Sequence, residues 1–283
     1  MSMAVQETLD QTFDQKRKEL QELMDRYARQ DVAVAFSGGV DSSLLLKLAC
    51  KAAEGTGRRV YGVTMETRLH PAGEIREAKR AAEEMGAAHL TILVDELEGA
   101  KILDNPPDRC YRCKKLLFTK LLEKTKELGV PVVLEGTNED DLHVYRPGIR
   151  ALKELQILSP LAQVHMTKEE VRRLAADYGL PEASKPSTPC LATRFPYGAA
   201  LSYEAMAQVE RGETYLKALG FGNVRLRVHG QVARLEVDVR DFPALLLQKE
   251  EIVRYLKETG YTYITLDLEG FRSGSMDVGS TTR

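Results

Sequence analysis

The run Ser37-Gly38-Gly39-Val40-Asp41-Ser42, followed by Ser43, has the residue types that bind phosphate. Glycine lets the backbone turn tightly and come close to an anion. N–H groups at the start of a following helix then donate to phosphate oxygens, and the helix dipole favours the negative charge. The serine hydroxyls add donors. Asp41 repels bare phosphate, so its chemistry runs through Mg²⁺. This is not the GxxxxGK[ST] loop, because no lysine follows the second glycine. The plain alternative is an ordinary strand–turn–helix in which Ser and Asp serve as caps.

A second segment, Glu135-Gly136-Thr137-Asn138-Glu139-Asp140-Asp141, has related chemistry. Gly136 and Thr137 can approach a phosphate or a ribose, and Asp140 or Asp141 can hold Mg²⁺. Its plain alternative is a solvated acidic turn.

Three of the four cysteines sit among polar or proline-rich residues. Cys110-Tyr111-Arg112-Cys113 opens a helix, where two thiols are neighbours and the thiolate is favoured. Cys190 lies in Thr-Pro-Cys-Leu-Ala-Thr-Arg. Two cysteines plus a distant third do not make a four-thiolate zinc site. They can hold a [4Fe–4S] cluster by three irons and leave the fourth iron open. Without a cluster, the pair is a redox-active CxxC or a two-thiol ligand set. Cys50, in LLLKLAC, reads as a buried core thiol. A reducing compartment argues against a structural disulfide framework.

Elements must bring these segments together. VAVAF (32–36) is a short buried strand that runs into the glycine loop and then into the helical SLLLKLACKAAE. RVYGVTM (59–65), HLTILV (89–94) and PVVLEG (131–136) read as further strands. Helices read over 5–29, EIREAKRAAEEMG, 110–129 and 167–180, the last opened by a Thr–Glu capping box. Apolar strands alternating with helices imply α/β architecture with a doubly wound parallel sheet. In such sheets ligands bind beyond the carboxyl ends of the strands, where these motifs fall. A Pro/Ser/Gly-rich stretch, 184–202, then changes the pattern. After it come a helix (203–219), two strands, a helix (241–259) and a strand, giving a smaller αββαβ domain. The expected boundaries are 1–195 and 196–283.

Of 283 residues, 43% are apolar and 29% charged, with a formal net charge of −2. That composition buries a core and argues against a protein devoted to coating nucleic acid. With no apolar run long enough to span a bilayer and no secretory signal, a cytoplasmic location is expected.

The glycine loop resembles the PP-loop of ATP pyrophosphatases, which cleave ATP between the α and β phosphates. Across nearly the whole chain the sequence resembles the LarE family, sulfur transferases of nickel-pincer nucleotide biosynthesis that mature lactate racemase. The resemblance rests on SGGVDSSLLL (37–46), DRCYRCK (108–114), EGTNEDD (135–141), YRPG (145–148), SPL (159–161), SKPSTPCLATRFPYG (184–198), VRLRVHGQVARLEV (224–237) and GFRSGSM (270–276). It implies ATP bound by Ser37, Gly38, Gly39, Asp41, Ser42, Ser43, Gly136 and Thr137, with Thr64 and Met65 at the adenine. It implies Mg²⁺ on Asp41 and Asp141. The implied substrate is a small pyridinium dicarboxylate mononucleotide. Its carboxylate is adenylated, pyrophosphate leaves, and sulfur displaces AMP to give a thiocarboxylate.

In some members the cysteine matching Cys190 loses its own sulfur. Others hold a [4Fe–4S] cluster on three cysteines, here Cys110, Cys113 and Cys190. Arg225 and Arg227 alternate on one strand and so share a face. They match positions that bind the substrate phosphate, for which the planar arginine fork is suited. Arg194 is a candidate for phosphate or carboxylate, and Glu213 and Glu236 line the same region. His229 reads as a surface or packing residue. The resemblance also implies a homo-oligomer, a trimer or hexamer. The competing readings are a tRNA-thiolating enzyme, an amide-forming synthetase and a nucleotide-binding scaffold.

Overall fold

The computed structural model describes residues 3–70, 74–144, 146–184, 189–272 and 274–276. Tyr145 of the YRPG motif, 185–188 of the SKPSTPC motif and Ser273 of GFRSGSM lie outside the described residues. In chain order the helices and strands are α1 (Met3–Tyr27), β1 (Val32–Ala35), α2 (Val40–Ala53), β2 (Val60–Glu66), α3 (Glu74–Glu84), β3 (Ala88–Leu93), α4 (Glu96–Gly99), α5 (Arg109–Glu127), β4 (Val132–Leu134), α6 (Glu139–Leu142), α7 (Gly148–Glu154), α8 (Pro160–Gln163), α9 (Lys168–Asp177), α10 (Tyr203–Ala218), β5 (Val224–His229), β6 (Val232–Val237), α11 (Phe242–Leu247), α12 (Lys249–Glu258) and β7 (Tyr263–Leu266).

They form two compact units. The first contains Met1–Thr67, Ala72–Ala100 and Cys110–Ser187; the second contains Arg68–Pro71, Lys101–Arg109 and Thr188–Arg283. Among the described residues no helix is long and apolar enough to cross a membrane.

The first unit is built on a parallel sheet with strand order β3-β2-β1-β4. β1 and β4 read as continuous apolar runs because helices cover both sheet faces. Val32, Val34, Leu134, Leu44, Leu45 and Leu174 share one buried cluster, and Ala33, Val63, Val133 and Leu121 form the other. Each fully buried Val or Leu contributes about 1.5–3 kcal/mol. The chain runs outward from β1 to β2 to β3, then returns to place β4 on the other side of β1. The order therefore reverses between β1 and β4, where a doubly wound sheet opens a crevice at its carboxyl edge. The two loops that leave these strands carry SGGVDSS and EGTNEDD. The expected capping box is present: Thr167 Oγ1 accepts from Glu170 N, and the Glu170 carboxylate accepts from Thr167 N.

The second unit carries a β5-β6-β7 sheet, with β5 antiparallel and β7 parallel to β6. One correction concerns its last helix. The expected helix over 241–259 is interrupted at Gln248, whose N–H bonds the carbonyl of Leu245, three residues back, in a tighter turn.

Candidate active site

The phosphate-type loop is folded on its own hydroxyls. Ser42 Oγ donates to the Gly39 carbonyl at 3.0 Å and lies 3.2 Å from Ser37 Oγ. Ser37 N and Gly39 N donate to Ser42 Oγ and Ser37 Oγ at 3.3 and 3.4 Å. Gly38 has φ +70°, a left-handed turn that favours glycine. Gly39 caps α2 without a side-chain hydrogen bond, leaving the helix start to an outside acceptor. Ser43 Oγ is fully buried and has no hydrogen-bond partner.

The EGTNEDD loop lies directly against this one. A Cβ placed on Gly136 would stand 2.8 Å from Asp41 Cβ and 3.2 Å from Ser42 N. Asn138 caps α6, and its side-chain amide donates to Asp41 Oδ1 at 3.1 Å. Lys168 Nζ pairs with Asp41 Oδ2, while Lys168 N donates to Asp140 Oδ2 at 2.8 Å. Glu135 is 4% exposed. Its carboxylate accepts from Thr137 N and Oγ1 at 3.0 and 2.9 Å, and from Ser159 Oγ. Lys114 Nζ lies 3.6 Å away. Gly136→Ala should force the two loops apart. We expect it to cut ATP turnover by about a hundredfold, the scale set by ångström misplacement of reacting groups. Thermal melting together with ATP kinetics checks this, and activity should fall far out of proportion to stability.

Asp141 Oδ1 pairs with Arg146 at 2.9 Å, and its other oxygen accepts from Asn138 N. Burial pushes the Asp141 carboxyl above its ordinary value. Arg146 opposes this, and the negative charge of Asp41 adds to the rise. Two carboxylates that feel each other's charge fit Mg²⁺ whose remaining ligands are phosphate oxygens.

Cys110 and Cys113 occupy the first turn of α5, three residues apart and so on neighbouring positions. Cys110 is exposed and Cys113 half-buried. Cys113 Sγ lies 4.0 Å from Oε1 of the buried Glu96. Tyr111 is turned aside: its hydroxyl donates to Glu154 at 2.7 Å and accepts from Lys115. Cys50 is only half-buried. Burial nevertheless pushes its thiol up to about 11, with nearby Lys47 opposing.

In the second unit, half-buried Cys190 precedes a 3-10 turn, Leu191–Arg194. Its carbonyl accepts from Thr193 Oγ1 at 2.7 Å and from Arg194 Nη1 at 3.3 Å. Arg194 is 2% exposed and makes a two-point pair with Glu213, at 2.8 and 2.9 Å. Arg227 is equally enclosed. Its Nε donates to Glu236 and its Nη1 to the Thr193 carbonyl, both at 3.0 Å. Arg225 differs: it is half-buried, lies over the Phe271 ring at 5.1 Å and donates to the Val224 carbonyl. Arg225 and Arg227 share a sheet face with Arg234 and Glu236, as the register dictates. Burial lowers the Arg225 pKa, and the charges of Arg194 and Arg227 lower it further. His229, at the exposed end of β5, is also lowered by burial.

Within the first unit the structure therefore brings together Ser37, Gly38, Gly39, Asp41, Ser42, Gly136 and Asp141. Thr64, near the carboxyl end of β2, has its hydroxyl turned onto the Phe36 carbonyl, and half-buried Met65 packs against the core. Sequence reasoning missed Lys168, Asn138 and Glu135. Asn138 and Glu135 stand inside a recognised motif. Lys168 stood in a helix-start pattern, with nothing to signal a partner 127 residues away. Among the described residues no group of three or more His, Cys, Asp or Glu side chains is arranged to hold a metal ion.

Residues 15–183 match the asparagine synthase family. The chain is 38% identical to the pyridinium-3,5-bisthiocarboxylic acid mononucleotide synthase of Lactiplantibacillus plantarum, over 88% of this chain and 89% of that protein. It is 37% identical to an uncharacterized protein of Synechocystis, over 86% of this chain and 91% of the other. A more distant relative is the tRNA-specific 2-thiouridylase of Ehrlichia canis, 28% identical over 56% of this chain and 51% of that protein.

Proposed function

The chain belongs to the asparagine synthase family and, within it, to the LarE family of PP-loop enzymes, and from that premise we propose that it is an ATP-dependent sulfur transferase making a thiocarboxylate on a pyridinium dicarboxylate mononucleotide. The observation that carries this reading is the closure of SGGVDSS and EGTNEDD around Asp41 at the reversal point of the sheet.

The chain's own groups have distinct tasks. The start of α2 and the loop N–H groups hold the triphosphate. Mg²⁺, when bound, neutralises phosphate charge, and Asp41 and Asp141 are the residues that would hold it. Lys168, seated on Asp41, places its ammonium beside the phosphate loop, where it stabilises the departing pyrophosphate. A substrate carboxylate oxygen attacks the α-phosphorus. The α–β P–O bond breaks, its electron pair leaves with pyrophosphate, and an acyl adenylate remains. A sulfur nucleophile then attacks the acyl carbon and AMP departs.

We assign Cys110, Cys113 and Cys190 to this second stage from the motifs they occupy; by the LarE resemblance these three would hold a [4Fe–4S] cluster, while among the described residues no three such side chains are grouped for a metal ion. Such a cluster, when bound, supplies an open iron for the sulfur to be transferred. In the alternative route the Cys190 sulfur itself attacks the acyl carbon. Loss of the Cys190 Cα proton then breaks its Cβ–S bond, which releases the thiocarboxylate and leaves dehydroalanine. Buried Arg194 and Arg227 brace the Cys190 turn through its carbonyls.

Arg225 is the arginine we assign to the substrate phosphate. It has no carboxylate to itself, and the neighbouring cations already disfavour its charge, so a phosphate dianion relieves that repulsion. Arg225→Ala should weaken substrate binding by about 1.5–3 kcal/mol, the range for hydrogen bonds to charged groups. ATP affinity should stay as it was; calorimetric titration of each ligand reads the two separately. The reading as a whole is tested by release of pyrophosphate from ATP and Mg²⁺, which should depend on the pyridinium mononucleotide and not on tRNA.

A further inference from the structure

The peptide that opens the phosphate loop is held at both ends. Its carbonyl, from Phe36, accepts from Thr64 Oγ1 at 2.8 Å, and its N–H, from Ser37, donates to Ser42 Oγ at 3.3 Å. The Phe36 N–H is also committed, to the Val63 carbonyl at 2.8 Å. Thr64 is 6% exposed, and its Oγ1 lies 2.8 Å from His89 Nε2 on β3.

The directions of these bonds follow from valence. A carbonyl oxygen can only accept, and a hydroxyl has a single hydrogen. The Thr64 hydrogen therefore goes to Phe36, and Thr64 must accept from His89. Nε2 carries the imidazole hydrogen. The other groups acting on His89 are Glu83 and Lys79 of α3. Burial outweighs them and holds the ring below its ordinary pKa, hence neutral near pH 7. Protonation would add a hydrogen at Nδ1 and leave the Nε2 bond in place.

We propose that His89 is a positioning residue of the ATP site, acting through Thr64 on the Phe36 carbonyl to set the peptide plane from which Ser37 and the left-handed Gly38 depart. This rests on the reading that the loop binds ATP. It also gives the Thr64 side chain a task distinct from touching a base. A hydrogen-bond chain of this kind strengthens along its length, so His89 sharpens the bond that Thr64 makes.

The test is steady-state pyrophosphate release against ATP concentration for wild type, His89→Ala, Thr64→Val, the double variant and His89→Gln. Each of the first two variants should raise KM for ATP about three- to tenfold, the loss of one neutral hydrogen bond, with a smaller change in kcat. The double variant should be no worse than Thr64→Val, because the relay passes through Thr64. His89→Gln keeps an N–H donor and should recover most of the loss. Additive effects, an unchanged KM, or a His89→Gln that behaves like His89→Ala would overturn the proposal. If wild type releases no pyrophosphate, the ATP reading fails instead. Hydrogen exchange of the Ser37 amide then still decides: it should quicken in His89→Ala and stay slow in His89→Gln, and equal rates in all three proteins would contradict the role.

Discussion

Asp41→Ala should reduce pyrophosphate release by at least about a hundredfold, the usual cost of removing a group that stabilises transition-state charge, while the protein stays folded. Asp41 is the point where three segments meet. It belongs to the phosphate loop, takes the amide of Asn138 and pairs with Lys168. Its side chain is one-fifth exposed and that of Lys168 one-third exposed. Loss of a pair this close to solvent costs little stability, about 1 kcal/mol or less. Catalysis has no such cushion in the proposed mechanism, where this carboxylate would hold the cation that neutralises the leaving pyrophosphate. Asp41→Asn should fare almost as badly, since an amide keeps the shape and loses the charge. Circular dichroism with a pyrophosphate assay checks both. Activity within tenfold of wild type would remove Asp41 from the mechanism.

Replacing Cys190 by Ala should abolish thiocarboxylate formation and leave adenylation intact, so that pyrophosphate still appears in a single turnover. In the proposed mechanism the two stages are chemically separate: the phosphate loops act at phosphorus and the thiols at the acyl carbon. Cys110→Ala and Cys113→Ala distinguish the two sulfur routes. If a cluster carries the sulfur, either change abolishes transfer, and the anaerobically reconstituted variants lose their visible absorption and their iron. If Cys190 gives up its own sulfur, both variants still transfer once, and mass spectrometry finds dehydroalanine at position 190. Cys50→Ala should be silent in every assay, because that thiol sits against the core of the first unit with its pKa pushed up by burial.

Local pattern in the sequence revealed much of this architecture. The runs around Val32–Ala35 and Val132–Leu134 are apolar on both faces, so they announce buried parallel strands. Thr167 and Glu170 announce a helix start because the capping bonds span only three residues. The glycine loop is equally local. What depended on distant contacts was not visible. Lys168 faces Asp41 only because the fold brings α9 to the carboxyl edge of the sheet.

Arg227 matches a substrate-phosphate position and Arg194 is a candidate for phosphate or carboxylate; each also pairs with a buried glutamate, a contact that sequence spacing cannot reveal. The membership of 68–71 and 101–109 in the second unit is likewise a product of tertiary packing. The turn at Gln248 was missed because an apolar helical pattern continues through it from Leu245 to Ile252.

The central claim is that ATP is spent on activating a carboxylate for sulfur. One measurement tests it most directly: purified protein is incubated anaerobically with ATP, Mg²⁺, a sulfide source and the pyridinium dicarboxylate mononucleotide, and every product is identified by mass spectrometry. The account predicts AMP and pyrophosphate in equal amounts, together with a mononucleotide in which sulfur has replaced a carboxylate oxygen. ADP and inorganic phosphate, or AMP and pyrophosphate formed while the mononucleotide remains unchanged, would contradict it.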